Sequence, residues 1–298
     1  MRSPGNIVSQ WRVPREMRAI RRLTTFSLAL LLGVCSPAAA QWLDHPTPGI
    51  PRTPDGKPDL EAPPPRTVEG KPDLSGLWGA ECLALSPCWT KGRFFDLAIG
   101  LTEADVELTP WAAAVQKQRE TRDHIDDPNG YCLPAGYPRM AFVNPFKIIQ
   151  TPALIAVLHE SLPAPMFRQV FTDGRSLPVD PEPSWLGHSV GRWEGDVLVV
   201  ETTGFPDRGW LDTRKARPHS DALRLTERFR RTTFGRIDWD LTVSDPKAFK
   251  RPWTVRVPLT YLADTELLQG FCDSHQKTME HRRIDPAPPE PPSPPLPR

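Results

Sequence analysis

Residues 146–261 of this 298-residue chain predict a mainly β fold, an antiparallel up-and-down barrel of eight strands. Three observations predict it. Short runs rich in β-branched and aromatic residues recur with alternating apolar and polar positions. Turn formers punctuate them, at Pro152-Ala153, Glu194-Gly195-Asp196 and Thr233-Phe234-Gly235. No helix-period pattern intervenes. An unbroken series of this kind closes on itself, and small barrels hold small molecules in their mouths.

The strands follow in order. Phe146–Thr151 and Leu154–Glu160 flank Pro152-Ala153, and Met166–Asp173 is third. Trp185–Trp193 and Val197–Thr203 flank the Glu194-Gly195-Asp196 turn. Leu223–Arg231 and Ile237–Ser244 flank Thr233-Phe234-Gly235, and Trp253–Tyr261 is last. Pro258 cannot donate to a ladder, so an edge or a bulge is expected there. One or two helices are expected outside the barrel, and the clear one precedes it, packed outside it or across one end: Thr109 as N-cap, Pro110 at N1, then Trp111–Arg122. Thr102 with Asp105 marks a short capped turn before it.

Register adds geometry. A three-residue loop with left-handed Gly235 pairs Phe229 with Trp239, Glu227 with Leu241 and Leu225 with Val243. One face is then apolar except for Glu227, while Arg224, Arg228, Arg230, Asp238 and Asp240 face water. A one-residue slip would set Phe229 against Asp240, so the pattern itself selects the pairing. Glu227 reads as a general acid or base in a pocket, or as a structural ion partner of Arg231 or another inward arginine. A two-residue turn at Glu194-Gly195 pairs His188 with Glu201, a carboxylate placed to orient an imidazole. That pair is a catalytic couple or a surface pair. The opposite face, with Gly187, Ser189, Gly191, Leu198 and Val200, is an equal candidate for the interior. The long loop from Phe205 to Asp221 carries Trp210, Asp212 and His219, and Arg175 begins a second loop. Asp212 and His219 complete the candidate catalytic set of Glu227, His188 and Glu201. Arg175, Trp193, Trp210, Phe229 and Trp239 are the candidate ligand-binding set. Gly187-His188-Ser189-Val190-Gly191 has the wrong spacing for a nucleophile elbow. No zinc-protease helix or phosphate loop is present, and no cofactor or metal is expected.

The first forty residues read as a signal peptide. Arg18, Arg21 and Arg22 precede an apolar Phe26–Val34 core, and Ala38-Ala39-Ala40 supplies a cleavage site. The Phe26–Val34 core is too short to remain as a membrane span, so none is expected in the mature chain. Cleavage lowers Lys+Arg from 37 to 31 and Asp+Glu from 36 to 35, a formal charge of about −4 that argues against a nucleic-acid partner. An exported chain keeping Cys82, Cys88, Cys132 and Cys272 is expected to form disulfides, with Cys82–Cys88 and Cys132–Cys272 favoured among three pairings. Residues 41–75 are a proline-rich arm in which Thr53–Leu60 recurs as Thr67–Leu74. Residues 76–284 make the barrel domain, and 285–298 a disordered proline-rich tail.

The string Gly187–Thr202, GHSVGRWEGDVLVVET, resembles a large, mostly uncharacterised family of exported bacterial proteins. Gly70–Trp78, Trp210-Leu211-Asp212, His219–Leu223 and Thr226–Phe229 carry the likeness across nearly the whole mature chain. Arg224 departs from it, standing where relatives often have His. The resemblance implies no settled activity. At the level of fold, the barrel is similar to lipocalin-like proteins, which include carriers and cofactor-free enzymes. The expected function is an exported lyase, isomerase or hydrolase acting by acid–base chemistry on a small apolar or aromatic molecule. The alternatives are a carrier with the same barrel and a surface interaction module.

Overall fold

The computed structural model describes residues 45–81, 96–161, 165–269 and 292–295. Asp44–Arg298 forms one compact unit. The expected signal peptide and most of the expected proline-rich tail lie outside the described residues. Cys132 is disulfide-bonded. The other cysteines, and with them both expected pairings, lie outside the described residues.

Nine strands form a closed barrel in sequential order. They are β1 Gly76–Ala80, β2 Phe146–Gln150, β3 Leu154–His159, β4 Met166–Phe171, β5 His188–Glu194, β6 Val197–Thr203, β7 Arg224–Thr233, β8 Arg236–Ser244 and β9 Trp253–Tyr261. The expected mainly β barrel is present, with two corrections. The strand β1 is additional, and it closes the ring by pairing with both β2 and β9. The β4–β5 contact is parallel, through Val170↔Ser189 and Phe171↔Val190. A parallel pair needs a long connection, and residues 172–187 supply it.

The helix α1, Pro110–Thr121, starts where its cap was expected, with the Thr109 side chain accepting from the Ala112 N–H. The Thr102–Asp105 turn is also formed, the Asp105 carboxylate accepting from the Thr102 hydroxyl at 2.6 Å. A second, short helix, α2 Arg139–Val143, is within the one or two expected, though its place was not anticipated. Its Met140 and Phe142 are buried, and Phe142 packs on Trp239 with ring centroids 4.7 Å apart.

Strand alternation fills the barrel. Leu225, Phe229, Trp239, Leu241, Val255, Val257 and Leu259 are all buried, as period-two patterning requires. Phe229 pairs with Trp239 and Glu227 with Leu241, as the pattern selects. The turn differs from expectation: Thr233 pairs with Arg236 after an irregularity at Arg231/Thr233, leaving Phe234-Gly235 as a two-residue turn. Gly235 does not adopt a positive φ. A Cβ there would lie 2.4 Å from Leu60 Cβ, so glycine is needed for the close approach of the arm.

The β5–β6 register is also corrected. Glu194 pairs with Val197 around Gly195-Asp196, and Gly195 takes φ +60, the positive φ that a type II′ hairpin places at its first central residue. His188 therefore faces Thr203, and Glu201 faces Val190. Pro258 stands just past the last β1–β9 pair, Ala80↔Leu259. Its carbonyl accepts from the Glu81 N–H at 3.0 Å, so the N–H it lacks is missed only where β1 has ended.

The arm's internal repeat is a repeated structure. Thr53 N–H donates to the Lys57 carbonyl and Thr67 N–H to the Lys71 carbonyl, both at 2.8 Å. Arg52 reaches Asp264 at 2.6 Å and Arg66 reaches Asp196 at 2.7 Å. Between these anchors, Gly235 N–H donates to the Leu60 carbonyl at 2.8 Å and Phe234 N–H to the Ala62 carbonyl at 2.7 Å. The arm thus straps three parts of the barrel.

Candidate functional site

The inward faces of β4 to β7 meet in one polar cluster within an apolar interior. β7 alternation aims Glu227 inward, and β4 alternation aims Arg168 inward beside Val170. The two form an ion pair, with Glu227 0% and Arg168 3% exposed. A second Arg168 N–H reaches Glu227 Oε1 at 3.3 Å. Arg168 also donates to Thr202 Oγ1 at 2.7 Å and to Ser189 Oγ at 3.0 Å. The Tyr137 hydroxyl donates to Glu227 Oε1, and the guanidinium lies 4.0 Å over the Tyr137 ring. Tyr137 arrives from the segment just before α2, so that short helix places the phenol in the interior.

Electrostatics follows from dryness. Burial lowers the Arg168 pKa, but the Glu227 charge, the Tyr137 hydroxyl and their hydrogen bonds together outweigh it and the net shift is upward. Burial pushes the Tyr137 hydroxyl well up, so it remains a donor. His159 is 1% exposed, and burial with the nearby Arg168 charge lowers its pKa to about 3. Its ring is therefore neutral at physiological pH.

The parallel seam opens the wall beside this cluster. Because β4 and β5 share two residue pairs, Met166 to Gln169 have no partner on the β5 side. A cleft of about 610 Å³ occupies the seam. Arg168 and Ser189 lie at its inner side, and Phe171, Arg175, Leu186 and His188 among its walls. Arg175 lies 3.7 Å over the Phe171 ring and pairs with Asp173.

The candidate residues thus separate into groups. Glu227, Phe229 and Trp239 are interior, the two rings stacked at 5.6 Å. Trp193 packs half-buried against the same core. His188 is on the outer face, its Nε2 2.9 Å from the Glu182 carbonyl, while Glu201 pairs with Arg192 at 2.7 Å. The expected His188–Glu201 couple is not formed. The Ser189 face is the interior one. Asp212, His219 and Trp210 belong to a different cluster, where the long loop meets α1. Asp212 pairs with Arg217, which also holds Asp96 at 2.7 Å. Burial pushes the Asp212 carboxyl up against the opposing Arg217 charge. Trp210 lies under Arg119, 4.7 Å from the guanidinium. Burial pushes the His219 imidazole down, partly offset by the Ser220 carbonyl and Asp245.

Arg231, one expected partner of Glu227, instead donates to the Phe234 carbonyl at 3.1 Å. Sequence reasoning missed Arg168, Tyr137, Thr202 and His159. Arg168 carried the same signal as Glu227, a lone charge between Met166 and Val170 on one strand face. The other face, with Phe167 and Phe171, was equally apolar, which hid it. Among the described residues no group of three metal-ligating side chains converges. No described helix is long and apolar enough to cross a membrane. No family model matches the chain, and no curated protein matches it.

Proposed function

We propose that the protein is an exported binder of small molecules with an apolar or aromatic body and a hydrogen-bond-accepting group, held in the β4–β5 seam cleft. The observation that carries this reading is the seam itself. The cleft lies against two interior polar residues, Arg168 and Ser189, in a barrel otherwise filled with side chains. Ion pairing with Glu227 holds Arg168 in place, a preorganised donor set of the kind binding sites use. Phe171 and Leu186 would cover an apolar body, and Arg175 stands at the wall where an acceptor would meet it. A screen of small aromatic and terpenoid compounds, read for binding and for turnover, tests this directly. Arg175→Ala should weaken a bound aromatic carboxylate such as 2-naphthoate by about 10-fold, the loss of one charge-assisted contact. Unchanged affinity would move the ligand elsewhere. Mass analysis of the protein recovered from the periplasm or medium would test export, with Gln41 expected at the new N-terminus.

A second reading is acid–base catalysis on the same ligand class, favoured by the convergence of Tyr137, Glu227 and Ser189 around Arg168. Under that reading Glu227→Gln, assayed below its lowered melting temperature, loses about 10²-fold in turnover. The full burial of Glu227 and the satisfaction of its oxygens favour the binding reading.

A further inference from the structure

The seam leaves part of a sheet edge open. On an antiparallel strand, alternate residues turn their N–H and C=O toward the same neighbour. The Thr172 N–H donates to the Ala153 carbonyl at 2.9 Å. Val170, Arg168 and Met166 therefore turn theirs toward β3, and Phe171, Gln169 and Phe167 turn theirs away. The two β4–β5 pairs engage Phe171 and the Gln169 carbonyl. The Gln169 N–H and both main-chain groups of Phe167 then face the cleft, with no partner among the described residues. Both residues line the cleft and are exposed, Phe167 to 66%. Arg168 and Arg175 also line it, and no described carboxylate does. An unpaired strand edge is a template on which an extended chain adds as a further strand.

We propose that the ligand of the seam is a short extended peptide with a free C-terminal carboxylate, added to β4 as a strand. This rests on the seam reading and narrows it: the aromatic body is a side chain, and the acceptors are main-chain oxygens. The free edge, Met166–Gln169, spans about 10 Å at about 3.3 Å per residue, room for three peptide residues. The β4–β5 contact is parallel, and a peptide running the same way continues the line of β5. Its first carbonyl then accepts from the Phe167 N–H, its last N–H donates to the Phe167 carbonyl, and its carboxylate accepts from the Gln169 N–H. That carboxylate lies toward Phe171, over whose ring Arg175 sits. Side chains alternate along the peptide. The middle one turns outward beside exposed Phe167, where an aromatic residue packs best. The first and third turn inward beside Met166 and Arg168, where the filled interior admits small residues.

The test uses N-acetyl-Ala-Phe-Ala on the full chain. The changes are made in the ligand, so folding of the protein is not in question. Calorimetry should show affinity falling about 10-fold when the last peptide nitrogen is methylated, the loss of one hydrogen bond. Methylating the phenylalanine nitrogen, which faces away from β4, should have the smaller effect. Converting the carboxylate to an amide should weaken binding about 10-fold. Hydrogen exchange at the Phe167 and Gln169 amides should slow when the peptide binds. A tripeptide that does not bind, equal losses from the two methylations, an amide that binds as well as the acid, or unslowed exchange at those two amides would each overturn the assignment. 2-Naphthoate has no peptide N–H, so its binding and its response to Arg175→Ala judge the seam reading alone. A seam that holds 2-naphthoate and refuses the peptide keeps that reading and loses this one.

Discussion

Glu227→Gln isolates the charge at the centre of the barrel while keeping its volume and most of its hydrogen-bonding capacity. In the wild type, Glu227 is fully buried and its partner Arg168 nearly so. The variant leaves the Arg168 cation beside Ser189, Thr202 and an amide, with no countercharge in contact with it among the described residues. Breaking a buried pair by removing one partner costs about 3–5 kcal/mol. For a chain of this size each kcal/mol shifts the melting temperature by about 2–4 °C, so a fall of roughly 6–20 °C is expected. Thermal unfolding followed by circular dichroism measures it. Replacing the whole cluster with apolar residues, Glu227→Leu with Arg168→Met and Tyr137→Phe, should recover most of the loss, because the desolvation penalty disappears along with the attraction. A Glu227→Gln melting temperature within about 2 °C of wild type would refute the reasoning, since the ion pair would then contribute almost nothing to folding.

His159 makes a separate prediction about pH. Its folded pKa of about 3 lies below the ordinary 6.5, so the unfolded chain binds the proton more readily. Its contribution is complete above pH 6.5 and is lost as pH falls toward 3. Between pH 7 and 5 that loss is about 2 kcal/mol, and urea unfolding of His159→Phe should show a correspondingly flatter pH dependence over that interval. Gly235→Ala should force Leu60 off the β7–β8 turn at a cost of about 1–3 kcal/mol, read as faster proteolysis within residues 45–75. Arg52→Ala combined with Arg66→Ala removes both exposed anchors of the arm. It should speed the same cleavage and leave the barrel's melting temperature nearly unchanged, because exposed pairs are weak.

Some of this architecture was legible in the sequence, for identifiable reasons. The β7–β8 register was readable because a one-residue slip exposes every apolar side chain, so the pattern rejects it. The β5–β6 register escaped because the true pairing differs from the expected one by two, and a shift of two keeps every residue on its own face. The turn alone decides between them, and it uses Gly195-Asp196 rather than Glu194-Gly195. β1 escaped because Gly76-Leu77-Trp78-Gly79-Ala80 is short and begins and nearly ends on glycine. Its strand character comes from its two neighbours. Glu227 stood out as one charge on an apolar face. Its companions could not be paired with it, because no local pattern places β4 beside β5 or carries Tyr137 inward from a segment outside the strands.

The ninth strand and the parallel seam are one fact. Directions around a ring of neighbours can alternate without exception only if the ring has an even number of members. With nine strands in sequential order, at least one adjacent pair must run the same way. This barrel meets that parity mismatch with a single stitch of two residue pairs between β4 and β5. Deleting β1 would not restore an alternating ring of eight. It would bring β2 and β9 together running in the same direction, and leave both with unpaired edges open to other chains.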